Sequence, residues 1–137
     1  MGRTREGLAA GAVAAVLSGI PSTVHALATG RDPLEATLAA GSILLPEETR
    51  PERLLAAAVP VHLALSLGWS VVLAGVLPRR PSFAAGAAAG LAIAALDLGV
   101  AGRRFPRIRA LPLGPQVADH VAYGIVVAAV LRSRASV

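Results

Sequence analysis

Four apolar runs, each long enough to cross a bilayer and each bracketed by Arg or Pro, constrain this chain more than any other feature. A transmembrane helix needs about 20 consecutive, mainly apolar residues. Residues 7–28, 54–77, 82–102 and 113–131 each supply such a run, and Pro or Arg at the edges provides natural stops. Composition agrees, with 55% hydrophobic residues, 15% charged, 3% aromatic and a mean hydropathy of +0.65. A soluble domain carries about 25% charged residues. The expected fold class is all-α: an integral membrane four-helix bundle, one transmembrane domain over residues 1–137. The same figures exclude a disordered chain, a disulfide-stapled secreted module and most soluble nucleic-acid binders.

The first run opens beside Arg3 and Arg5 and ends at Ala26-Leu27-Ala28, features it shares with a cleavable signal peptide. At about 22 residues it is long for one and is read as a retained span. Between the first two spans lies a shorter apolar piece, residues 33–45. A helix of that length reaches about 20 Å against a hydrocarbon core of about 30 Å. It is expected to be re-entrant or interfacial, with Glu35 and the charged stretch 47–53 keeping its ends in water.

The net charge is +5 and the sequence pI about 11.5, but position decides what that charge means. All thirteen basic residues are Arg, and they cluster between the apolar runs. Such clusters are what a bilayer interface collects, and Arg103, Arg104, Arg107 and Arg109 are expected to meet lipid headgroups rather than nucleic acid. The absence of cysteine excludes thiol redox chemistry, iron–sulfur clusters and thiolate zinc sites. With the N-terminus placed inside, the inner segments carry six Arg and the outer segments seven. The reading taken is one orientation set by the dense 103–109 cluster, with that loop cytoplasmic. The alternative is insertion both ways with antiparallel pairing.

Polar residues inside the runs fall at helical spacing. His62, Ser66, Trp69 and Ser70 share one face, as do Gln116, Asp119, His120 and Tyr123. Small residues also recur every fourth position, at Gly7, Gly11, Ala15 and Gly19 and again at Gly86 and Gly90, with Asp97 extending the second row. Rows of this kind let helix backbones approach closely in lipid. Pro21 removes a backbone donor and is expected to kink the first span, freeing the Leu17 carbonyl.

Counting depth at about 1.5 Å per residue puts His25, His62, Asp97, Asp119 and His120 within roughly 6 to 13 Å of one membrane face. Glu35 and Arg104 belong to the same face. Such a cluster admits four readings. His62, His120 and Asp97 could ligate a divalent metal; His62 and His120 could ligate haem; Asp97, Asp119 and His120 could relay protons. The fourth reading is structural glue, with Asp97 paired to Arg104 or to His120. Trp69 lies near mid-span and is expected to pack or line a cavity with a partner for its indole donor. Tyr123 is expected to hydrogen-bond between the helices.

The last span, where Asp119-His120-Val121-Ala122-Tyr123-Gly124 leads into small apolar residues, resembles the final span of YagU-like small bacterial membrane proteins. The glycine-rich first span is similar in kind. The resemblance touches two spans and implies a four-helix protein of the bacterial inner membrane with unassigned activity. It transfers no catalytic residue and no cofactor.

The function expected first is a non-catalytic accessory or oligomeric scaffold, with the lipid bilayer and a homo-oligomer or larger membrane complex as partners. The alternative is a small proton- or ion-coupled transporter or channel. A metal- or haem-binding membrane enzyme comes last.

Overall fold

In the computed structural model, residues 2–135 are described, and among them all regular structure is helical. The order is α1 (Gly2–Leu17), α2 (Ile20–Thr29), α3 (Glu35–Gly41), α4 (Pro51–Val76), α5 (Phe83–Asp97), α6 (Pro106–Arg109) and α7 (Leu113–Arg134). A short 3-10 turn, Ala101–Arg104, follows α5. Four helical stretches are long and apolar enough to cross a membrane: Gly2–Thr29, Pro51–Val76, Phe83–Arg104 and Leu113–Arg134. They coincide with the four apolar runs of the sequence.

Leu54, Val127 and Leu131 are buried together with Ala10, Ala14, Ala74, Ala128 and Ser70, whereas Val16, Leu27 and Val76 are 78%, 65% and 72% exposed. Many small residues at the contacts and many large aliphatic ones on the outside is the arrangement that lipid favours, because packing rather than water exclusion holds such helices together.

Local signals explain the helix ends. Pro51 occupies the first turn of α4 beside Glu52, where a missing donor costs nothing and an acid faces the positive end of the helix. Ser82 caps α5 by accepting from the Ala85 amide at 3.0 Å. Gly30 ends α2 at φ 69°, a left-handed conformation that suits glycine. Helix α4 runs on through Pro60, which leaves the Ala56 carbonyl without its usual donor.

The first span is broken. Ser18 and Gly19 interrupt it, and Pro21 sits in the first turn of α2. The expected kink is therefore a discontinuity between two helices. Helix α1 packs on α4 and α7, α2 packs on α7, and α5 packs on α7. Helices α4 and α5 do not lie closely side by side, so space remains between them. Helix α3, seven residues and about 10 Å long, docks on the start of α4.

The connections on that side are tied by charge. Glu48 accepts from the side chains of Arg50 and Arg53, at 3.2 and 3.4 Å, and its neighbouring carbonyl accepts from Arg107 at 3.4 Å. Hydrogen bonds from Arg50, side chain first and then backbone, pull the Glu48 carboxyl down to about 2. A carboxyl lowered in the folded state adds order to its loop above the ordinary Glu range and loses it as pH falls through about 2. The Glu48 side-chain resonance in an NMR titration is accordingly expected to move with a midpoint near 2 at low salt. A midpoint in the ordinary Glu range would show that the pairs do not hold.

Candidate functional site

The closest helix crossing sets the geometry of the polar cluster. Gly86 and Gly90 of α5 lie directly on the backbone of α7 at Gly124 and His120. A Cβ on Gly90 would fall on the His120 carbonyl group and 2.9 Å from the Val121 Cα. The crossing thus fixes His120 against α5, and Asp97 lies two turns further along that helix. The His120 Nε2 stands 3.4 Å from Asp97 Oδ2.

Hydrogen-bond direction constrains the proton in this pair. His120 Nδ1 lies 2.8 Å from the Gln116 carbonyl oxygen, which can only accept, so Nδ1 carries a hydrogen. A second proton must then lie between Nε2 and Asp97, because a bare nitrogen lone pair and a bare carboxylate would repel. Trp69 Nε1 donates to both Asp97 oxygens at 3.2 Å, which favours the charged carboxylate and an imidazolium opposite it. The indole also bridges the space between α4 and α5. The expected indole partner of Trp69 is therefore Asp97. Nearby, the Tyr123 hydroxyl donates to the Ser66 carbonyl oxygen, joining α7 to α4 as expected.

The remaining two intramembrane groups attend to the broken helix. His62 Nε2 lies 2.7 Å from the Ala15 carbonyl oxygen and must be the donor there. Asp119 Oδ1 accepts from the Ser22 amide at 2.8 Å. Ser22 belongs to the first turn of α2, where helix amides lack intrahelical acceptors, so a carboxylate from α7 caps a helix on another segment. Its negative charge also meets the positive end of α2. One carbonyl before the break and one amide after it are thus satisfied by side chains from other helices.

These groups line a single cavity of about 930 Å³ that reaches from the break to α3 and the 105–111 segment. Ser22, His62, Trp69, Asp97, Gln116, Asp119, His120 and Tyr123 are on its wall with a few further Ser and Thr, and the rest of it is apolar. Its volume lies in the range of ligand sites, about 300–1,000 Å³.

Four of the five clustered residues thus meet in one cavity, and His25 does not. It is absent from the wall and makes no side-chain hydrogen bond among the described residues, because α2 turns it away after the break. Glu35 is also off the wall, held in an ion pair with Arg31 at 2.8 Å. Asp97 pairs with His120, not with Arg104. Helix α5 ends at Asp97 and the chain turns before Arg104, so the seven-residue spacing no longer means one face. Arg103, Arg104 and Arg109 make no ion pair among the described residues, whereas Arg107 reaches the Glu48 carbonyl.

Of the metal set, only Asp97 and His120 come together; His62 is committed to Ala15. Among the described residues no three His, Cys, Asp or Glu side chains gather in a metal-holding group. Sequence reasoning missed Ser22, whose amide becomes a ligand of Asp119 once Pro21 disrupts the helix. The signal was present, since a proline in a span frees backbone groups that some polar side chain must satisfy. Sequence reasoning expected a short helix within residues 33–45, where α3 lies, but not that Ala36, Thr37 and Ala40 form part of the wall.

Compared with known proteins, the chain matches no family model, no curated protein and no solved structure.

Proposed function

We propose that this chain is a small integral protein of the bacterial inner membrane, a four-helix bundle that binds a small apolar or amphipathic molecule between its helices and carries it. One observation supports this over a passive scaffold. The polar groups of the apolar runs, although paired with one another and with the backbone, stand on the wall of a ligand-sized cavity rather than in a packed core. Helices interrupted at the binding level are a recurring feature of membrane carriers, where the broken turn supplies polar backbone beside the site. The mutual pairing of Asp97, His120 and Trp69 also has a structural use, and a scaffold would need nothing more.

Trp69 is the sole tryptophan of the chain, so its emission reports on the cavity. In phosphatidylcholine nanodiscs, the neutral dye N-phenyl-1-naphthylamine is expected to accept energy from Trp69 saturably, at one dye per chain, above the linear background of dye in lipid. Filling the wall with Ala40→Phe is expected to remove the saturable part. A signal that is linear throughout and unchanged by Ala40→Phe would overturn the reading and leave the scaffold.

A further inference from the structure

The charges on the cavity wall point to the class of ligand, a step that rests on reading the cavity as a binding site. The chain has thirteen Arg, all among the described residues, and none of them lines the cavity. Two of the eight acidic residues do, Asp97 and Asp119. Asp97 is balanced by His120 at 3.4 Å. Asp119 has no ion-pair partner within the described residues; its Oδ1 accepts from the Ser22 amide at 2.8 Å, and the Ser22 hydroxyl also lies against the carboxylate. The side chain is only partly buried and lines the cavity. His62 spends its Nε2 hydrogen on Ala15 and does not neutralise Asp119.

The cavity is therefore an apolar chamber with one carboxylate in excess. Apolar walls bind a hydrophobic body, and an uncompensated carboxylate in a low-dielectric space attracts positive charge far more strongly than it would in water. We infer that the cavity takes lipophilic organic cations, with the Asp119 carboxylate as counter-ion and the apolar wall around the hydrophobic groups. An anionic ligand would meet repulsion from Asp119 with no Arg to offset it. A metal ion is not accommodated, because it would need several oxygen or nitrogen ligands at short range.

The test uses two ions of nearly equal size and opposite charge, tetraphenylphosphonium and tetraphenylborate, as competitors of N-phenyl-1-naphthylamine in zwitterionic nanodiscs, with protein-free discs as blank. Zwitterionic lipid avoids concentrating either ion at the surface. The phosphonium is expected to displace the dye and the borate is not. Asp119→Asn keeps an acceptor for the Ser22 amide and removes the charge. It is expected to weaken phosphonium binding about 10- to 100-fold, a larger loss than any it causes in dye affinity. Equal displacement by both ions in the unmodified protein, or unchanged phosphonium affinity in a folded Asp119→Asn, overturns the cation assignment and leaves the cavity reading standing. Absence of saturable dye binding in the unmodified protein overturns both.

Discussion

Replacing Gly90 by Leu is expected to separate α5 from α7 and to unfold the protein at markedly lower denaturant or temperature. Even a single Cβ at this position falls on the His120 carbonyl group, and neither backbone can yield without moving a whole helix. Overpacking of a close contact costs about 1–3 kcal/mol, and a branched side chain between two backbones belongs at or above the top of that range. Gly68 supplies the comparison. A Cβ there meets nothing within 4 Å, and alanine is favoured over glycine inside a helix by about 0.5–1 kcal/mol. Equilibrium unfolding in mild detergent should therefore place Gly68→Ala at or above the unmodified protein and Gly90→Leu well below it. Equal stability of the two variants would show that the α5–α7 crossing is not where the helices meet. Because the crossing positions His120, Gly90→Leu is also expected to change Trp69 emission through loss of the Asp97 contact.

Asp97→Ala is the second large effect. It removes the acceptor of the Trp69 indole and the counter-ion of His120 in one step. Truncating one member of a buried, hydrogen-bonded charge pair costs about 3–5 kcal/mol, largely because the other charge is left without compensation. Both side chains keep some exposure to the cavity, 23% and 20%, so the lower end of that range applies. His120→Ala alone should cost less, since Asp97 retains the indole. The double variant should be more stable than the sum of the two losses implies, by about 1–3 kcal/mol of coupling. Strict additivity in a double-mutant cycle would show that Asp97 and His120 do not interact. Asp97→Asn keeps an acceptor for the indole and is expected to preserve the Trp69 emission while losing the coupling.

The spans were legible because an apolar run of about 20 residues has one economical solution in lipid, a helix. Their boundaries shifted by a few residues, outward past the apolar run at Gly2, Pro51 and Arg134, while α5 ends early at Asp97. The close approach of Gly86 and Gly90 was legible from their four-residue spacing, although not the partner, Gly124, which belongs to no four-residue row of small residues marked in its span. The cluster was legible as a depth rather than as a set of contacts. Asp97, Asp119, His62 and His120 share the cavity wall, whereas His25 and Glu35, counted to the same depth, are off it. Residues at one depth can face any direction, and the break before α2 resets the rotation of everything after Gly19. The pairing of Asp97 with Arg104 failed for the same reason, since helical spacing predicts a shared face only while the helix continues.

What the sequence by itself determined is where the long apolar helices lie, that four of them are long and apolar enough to cross a membrane, and that the few charges within them need company. These follow from local terms, namely transfer of side chains and satisfaction of each helix's own backbone. The tertiary structure alone decided the company. That His62 serves the Ala15 carbonyl, that Asp119 caps α2, and that Trp69 and His120 converge on Asp97 depend on how four helices rotate and cross, which is set by contacts between residues as far apart as Ser22 and Asp119. The cavity has the same origin. It exists because glycine draws α5 onto α7 while α4 stays on α1, and no single run of the chain encodes the space left between them.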